Sequence, residues 1–420
     1  MNPDTETEKD PRGRSLKPWL WVILCSIAIF ATVPVARGLQ EFIYDTVGRE
    51  FFTYFVLFAG GSGLAVLLYF FIFRLKTRNV SQYLWLFICA GIYAWFTVQL
   101  GKQHPEEAIH LLQFGILSFF IFKALSYRIH DRTVYITTVL IVLFIGTTDE
   151  FIQWLTPQRV WDYRDISTNT LAGGILALGI WKGIKPGIIS GPVKKISVKM
   201  LVWTATLNLL FMGLCLSNTP DVVNRYTAVF NNLSWLQGEE VMTEYGYKHK
   251  DPEIGAFYSR LPLEKLKETD LINGEKYGKT VLREKSAADG YEKLSRIYTP
   301  YTNPFLDEFL KHISRRDREF ENLAATDDPG KKIETANIVY RENLLLETYF
   351  KNTLEHSGSI WPGKKIKDLQ ETASLWKGDY TSGAGKIITS FSLKTAWLYI
   401  VGLLAAIWTS AAYWKRRLNI

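Results

Sequence analysis

TTDEFIQWLTPQRVWDYRDISTNT, residues 147–170, lies between two apolar runs and carries an Asp–Glu pair, two more aspartates, two arginines and carboxamides. Upstream stands VYITTVLIVLFIG and downstream LAGGILALGIW, both apolar enough to enter a bilayer. Such a stretch belongs at the edge of a membrane, because ionisable groups deep in hydrocarbon are costly unless paired or facing water.

The totals agree with a mixed chain. Of the 420 residues, 48% are hydrophobic, 14% aromatic and 21% charged, which is too apolar and aromatic for a typical soluble protein but not apolar throughout. The formal net charge is +8. No lysine-rich stripe with interleaved aromatics accompanies it, so nucleic acid is not an expected partner, and basic loops on one side of a bilayer account for the excess. Cys25, Cys89 and Cys215 each fall inside an apolar run, which leaves no disulfide framework and no CxxC metal site. The N-terminal stretch is polar and enters an apolar segment without an AxA-type cleavage site, so that segment is read as a retained anchor.

A span needs about 20 apolar residues, since hydrocarbon is roughly 30 Å thick and each helical residue rises about 1.5 Å. Candidate spans cover 19–36, 51–73, 83–100, 109–125, 134–155, 168–184, 200–217 and 396–414. Basic residues crowd every second connection: Lys9 to Lys17, Arg74 to Arg78, Lys123 to Arg132, Lys182 to Lys199, and Lys415 to Arg417. The expected fold is therefore an all-α polytopic membrane protein of about eight transmembrane helices with both termini cytoplasmic. The expected organisation is a cytoplasmic tail over 1–18, a membrane domain over 19–217, a mainly α-helical extracytoplasmic domain over 218–393, and an anchor with a basic end over 394–420.

Within the insert, NPFLDEFLKHISRRDREFENL has Asn303 as N-cap, Pro304 at the first helical position, and Phe305, Phe309 and Ile313 on one face. A second helix is expected over IETANIVYRENLLLETYFKNTL, and Asn232 to Tyr301 reads as mostly helix and loop. Arg315, Arg316 and Arg318 alternate with Asp317 and Glu319, as on a solvated helix face. Trp235, Trp361 and Trp376 either seat the insert on headgroups or form its core.

This topology gathers the unusual polar residues at one outer level. Span five ends at Asp149, Glu150 and Gln153; a short loop carries Arg159, Asp162, Arg164 and Asp165; span six opens at Asn169; and span four begins near Glu107, His110 and Gln113. Gln153 is three and four residues from the two carboxylates and can bridge to either, while Asp165, Asn169 and Gly173 form a line at steps of four. Gly173 and Gly174 would admit a neighbouring helix closely. The expected result is a polar pocket walled by spans four, five and six.

The order DExxQxxxPxR, then D, then NTL resembles the VanZ-like membrane proteins, through Asp149, Glu150, Gln153, Pro157, Arg159, Asp165 and Asn169, with His110 matching a histidine at the start of a preceding span. The resemblance covers about residues 83–184. Glu107 stands where the family carries lysine. The resemblance implies a bacterial cytoplasmic membrane location and a link to low-level resistance to the glycopeptide teicoplanin.

The candidate ligand-binding residues are thus His110, Asp149, Glu150, Gln153, Arg159, Arg164, Asp165 and Asn169. The leading reading is non-catalytic recognition of an anionic or glycosylated lipid head group or lipid-linked envelope precursor. Arg159 and Arg164 would hold phosphate through paired hydrogen bonds, and Gln153 and Asn169 would serve hydroxyls. The bland reading is a brace in which Arg159 pairs with a carboxylate and Asp165 caps span six. An enzymatic reading gives the carboxylates and His110 acid–base roles at a head group, but adjacent helical residues point about 100° apart, so Asp149 and Glu150 are not automatically a dyad. A third reading docks an extracytoplasmic protein on residues 218–393. No cofactor or metal is expected: HExxH and GxSxG are missing, the six histidines are scattered, and GDYTSGAGKI lacks phosphate-loop spacing.

Overall fold

A computed structural model of the chain describes residues 11–417 apart from 104, 158, 240, 286–289 and 386–387. Most of the expected N-terminal tail, residues 1–10, and the last three residues of the basic C-terminal end lie outside the described residues. The chain divides into two compact units, Met1–Gly213 with Ile400–Ile420, and Leu214–Tyr399.

The first unit runs through α1 (Pro11–Thr32), α2 (Ala36–Thr46), α3 (Phe51–Tyr69), α4 (Val80–Gln103), a 3-10 turn at Pro105–Glu107, α5 (Ala108–Leu125), α6 (Thr133–Trp154) and α7 (Tyr163–Leu178). The helix α8 (Lys195–Ser217) follows. Pro34 lies in the turn between α1 and α2, where a missing N–H breaks the helical ladder, and the two helices meet at 71°. Both α3 and α7 are prolonged by a π-turn, Phe70–Leu75 and Gly179–Ile184, each closed by a lysine in the left-handed region, Lys76 at φ 49° and Lys185 at φ 48°. The last carbonyls of the second π-turn are covered by Gln82 of α4, whose Nε2 donates to Gly183 O at 2.8 Å and Ile184 O at 3.1 Å.

Among the described residues six helices are long and apolar enough to cross a membrane, and the bent α1–α2 pair, taken as one span, makes seven. The all-α membrane architecture stands, and the expected span at 168–184 is the one outside this set. Its helix, α7, spends its first turns on YRDISTNT, which lowers its apolar length below that of its neighbours. α5 and α6 are the central helices, about half of each buried by protein, whereas α3 is 11% buried and presents most of its surface outward.

The core of this unit is formed by Leu111, Phe114, Leu117 and Ile121 of α5 with Val142 of α6 and Ala172 of α7. Close helix approach rests on small residues, as it does where helices pack without a strong hydrophobic drive. A Cβ on Gly173 would stand 2.8 Å from Val142, and the Gly173 carbonyl accepts from Ser118 Oγ at 3.1 Å. Gly174, expected to share this role, has nothing within 4 Å of a Cβ position and plays no part in the approach.

The second unit holds α9 (Pro220–Thr227), β1 (Glu244–Tyr245), β2 (Tyr247–Asp251), β3 (Gly255–Ser259), α10 (Leu263–Lys285), α11 (Gly290–Ile297), α12 (Pro304–Ala325), α13 (Pro329–Tyr349), α14 (Lys351–His356), α15 (Gly363–Ala373) and β4 (Ile388–Thr389); α16 (Leu393–Arg417) ends the described chain. Asn303 caps α12 by accepting from Leu306 N at 3.1 Å, with Pro304 at the first position. Phe305, Phe309 and Ile313 are buried, as their spacing requires. The helix expected next is split at Phe350 into α13 and α14. Between residues 232 and 301 the structure adds a hairpin, β2 against β3, where helix and loop were expected. Its period-two signal, Tyr247, His249 and Asp251 alternating with Lys248 and Lys250, is short and polar and is drowned by the charged composition around it.

Two buried polar clusters lock this unit. Glu342 on α13 meets His312 Nδ1 at 2.7 Å and accepts from Tyr380 OH at 2.6 Å and Ser382 Oγ at 2.5 Å. Arg260 is clamped by Glu244 at 2.6 Å, Asp307 at 2.9 Å and Glu308 at 3.3 Å. The expected solvated arginine face is corrected in part. Arg316 is 1% exposed, donates to Asn343 Oδ1 at 3.0 Å and Ser359 O at 3.1 Å, and stacks over Trp361 at 4.2 Å, whereas Arg318 stays in solvent. Trp361 accordingly packs with Phe320 as part of a small satellite core.

Candidate functional site

The polar residues singled out in the sequence meet where the C-terminal end of α6 faces the N-terminal ends of α5 and α7. Asp149, Glu150 and Gln153 are at most 3% exposed, and Asn169 is fully buried. Helical spacing places the carboxamide of Gln153 as a bridge: its Nε2 donates to Asp149 Oδ2 at 3.2 Å and to Glu150 Oε1 at 2.9 Å. Its oxygen accepts from Arg159 Nη2 in a short hydrogen bond. Arg159 therefore reaches the carboxylates through the amide rather than by pairing with one of them directly, as the bracing view expected.

The second oxygen of Glu150 accepts the backbone N–H of Asp162 at 3.1 Å, which ties the end of α6 to the start of α7. Asp162 is the N-cap of α7, accepting from Arg164 N at 2.7 Å, so the capping role expected of Asp165 is one turn-start earlier. Asp162 has the extended backbone that a cap requires, whereas Asp165 already lies inside the first turn. Arg164 is half exposed and forms an ion pair with Glu107 at 2.6 Å and a longer one with Asp162 at 3.4 Å. It fastens the start of α7 to the start of α5 and is engaged outside the buried cluster.

Asn169 enters the cluster because Gly146 of α6 lets α7 come close: a Cβ there would stand 3.2 Å from Asn169 Cβ and 3.6 Å from the Phe114 ring. Phe114 in turn stacks on His110, with centroids 6.2 Å apart. Asp149 interacts electrostatically with both His110 and Arg159. The chain of contacts Asn169, Gly146, Phe114, His110, Asp149 thus closes a ring around one point.

Several buried atoms of this ring and of the connection between α6 and α7 have no hydrogen-bond partner among the described residues: His110 Nδ1, Asp149 Oδ1 and both Oδ1 and Nδ2 of Asn169 in the ring, and Arg159 Nε and Trp161 Nε1 in the connection. Leaving one such group unpaired costs about 1–3 kcal/mol, and native interiors hold few of them. Five residues, His110, Asp149, Arg159, Trp161 and Asn169, carry such atoms. Trp161 escaped the sequence reading because a tryptophan in a membrane-edge loop is the ordinary aromatic belt, and only its buried indole N–H sets it apart. The described residues contain no group of His, Cys, Asp and Glu able to hold a metal ion.

Residues 20–186 match the VanZ/LLP1 family model. This VanZ-like region begins upstream of the resemblance carried by the polar motif and takes in most of α1 together with α2, α3 and α4. The whole ring from His110 to Asn169 falls inside it, and the second unit falls outside. Searches of curated proteins and of solved structures returned no match.

Proposed function

We propose that this VanZ-like membrane protein uses the ring of His110, Asp149, Gln153, Arg159, Trp161 and Asn169 to bind the polar head of a lipid-linked or glycan-bearing envelope molecule. The observation that carries the reading is the set of unpaired buried donors and acceptors on and beside α5, α6 and α7. Their mixture favours a ligand rich in hydroxyls and carrying one anionic group. Asn169 offers a donor and an acceptor, His110 and Trp161 offer ring nitrogens, and Arg159 supplies the fixed cation. Asp149 keeps one oxygen for a hydroxyl, and such contacts discriminate strongly because a ligand lacking them leaves buried groups unpaired. In this reading the ring faces the outer side of a bacterial cytoplasmic membrane, residues 218–393 lie outside the cell, and tolerance of teicoplanin-type glycopeptides would follow from occupancy or handling of that envelope molecule.

The test is native mass spectrometry of the full chain released from mild detergent after incubation with total membrane lipid. Wild type should retain a glycosylated or phosphorylated lipid that Arg159→Ala and Asn169→Leu both lose. Retention unchanged in both variants would rule out the ring as the binding site and leave it as a brace at the ends of α6 and α7.

A further inference from the structure

A separate feature of the membrane unit points to a second lipid contact, independent of the buried ring. A groove of about 660 Å³ opens where α2 turns into α3, and its wall includes Arg49, Glu50, Phe51, Tyr54, Phe55 and Phe58. Its aromatic side chains face outward: Tyr54, Phe55 and Phe58 are 63%, 45% and 75% exposed. Depth follows from length. The continuous helix Phe51–Leu75 has 25 residues, which at about 1.5 Å each reaches ~37 Å and exceeds the roughly 30 Å of hydrocarbon. Arg49 and Glu50 directly precede it and so stand at the head-group level, with Phe55 and Phe58 running down beside the acyl chains.

The preceding helix supports the same level. On α2 the exposed apolar residues Leu39 and Phe42 lie beside a polar stripe of Arg37, Glu41 and Asp45, the arrangement of a helix lying in the interface plane. Its Tyr44 hydroxyl donates to Glu106 in a short hydrogen bond, fixing α2 at the end of the neighbouring spans. Gly48, at φ +103°, then makes the turn that only a residue without Cβ adopts freely, and it presents Arg49 and Glu50 side by side at the rim. The Arg49 guanidinium rests over the Tyr44 ring at 5.2 Å, which limits its freedom to swing away.

We infer that this groove seats a zwitterionic phospholipid of the phosphatidylethanolamine type, with its phosphate on Arg49, its ammonium on Glu50, and one acyl chain along Phe51, Phe55 and Phe58. Charge decides the class. A rim with one cation and one adjacent carboxylate complements a head bearing both signs, whereas an anionic head would satisfy Arg49 and be repelled by Glu50. The aromatic wall supplies the apolar area that an acyl chain covers.

The experiment uses the full chain in bilayer discs of equal parts phosphatidylethanolamine and phosphatidylglycerol, followed by native mass spectrometry of the lipids it retains. Wild type should retain phosphatidylethanolamine preferentially. Arg49→Gln should reduce that retention about tenfold, and Glu50→Gln should shift the preference toward phosphatidylglycerol. Both positions are exposed, so the fold tolerates these changes. Equal retention of the two lipids by wild type, or a preference unmoved by either substitution, overturns the inference. Asn169→Leu is the control that keeps this question apart from the buried ring: it should leave phosphatidylethanolamine retention intact, and loss of that lipid would assign it to the ring instead.

Discussion

Asn169 shows how a single side chain is held against its own preference. A fully buried carboxamide with both polar atoms unpaired is a standing cost, and a leucine of similar volume would remove it. Asn169→Leu is therefore expected to raise the unfolding midpoint, by the equivalent of about 1–3 kcal/mol, while abolishing ligand retention. Thermal unfolding in detergent, run beside the lipid assay, checks both halves. A variant that is less stable than wild type would mean that the amide already finds its partners within the fold. Gln153 presents the opposite case, since its carboxamide is bonded inside the protein to Asp149, Glu150 and Arg159. Gln153→Leu should destabilise, because it strands two buried carboxylates at once.

Among the elements, the α6–α7 pair decides the ring's geometry. Two glycines set the spacing at two levels: Gly173 against Val142 and Gly146 against Asn169. Gly173→Ala drives a methyl group to 2.8 Å from Val142, so α7 must shift, at a cost of about 1–3 kcal/mol for overpacking. Gly174→Ala, one residue on and facing open space, should be neutral within about 0.5 kcal/mol. Reversible unfolding of the pair of variants in mixed micelles separates close approach from mere helix propensity. The sequence named both glycines, and only the rotation of α7 about its axis says which one meets α6.

For the molecule as a whole, the second unit carries its own polar lock, and its pH response has a definite sign. Burial alone pushes the Glu342 carboxyl up, but His312, Ser382 and Tyr380 together hold it below the ordinary carboxylate range. A group depressed in the folded state contributes stability that is present above its unfolded value and lost as pH falls through its folded value. The stability gap between wild type and Glu342→Gln should therefore be widest near neutral pH and narrow as the pH drops below the usual carboxylate range. Glu308 acts in the other direction: burial raises its carboxyl despite Arg260, so acidification relieves part of its cost. Thermal unfolding of the full chain across this range, wild type beside Glu342→Gln, provides the check, and a gap independent of pH would remove the lock from the account. Hydrogen exchange at Ser382 and Ala384 gives a local reading, because Glu342 anchors the segment whose N–H groups bond Ala256 O and Ser382 Oγ.

Read alone, the sequence already told of a mainly helical membrane protein with a polar knot between two apolar runs, because both facts are local. Hydrocarbon thickness sets the length of an apolar run, and helical spacing puts Gln153 within reach of Asp149 and Glu150 whatever surrounds them. The asparagine cap and proline start of α12 were legible for the same reason. Tertiary structure alone decided the rest. Arg315, Arg316 and Arg318 share one charged run, yet Arg316 is buried against Asn343 and Trp361 while Arg318 stays in water. Arg159 and Arg164 are five residues apart, yet one joins the buried amide from the connection after α6 and the other, in the first turn of α7, is spent on Glu107 and Asp162. Nothing in local spacing marks Trp161, whose indole N–H is buried and unpaired among the described residues. A hydrogen bond is settled by which side chains arrive at the same point with complementary donors and acceptors, and partners 27 to 57 residues away leave no mark on local spacing.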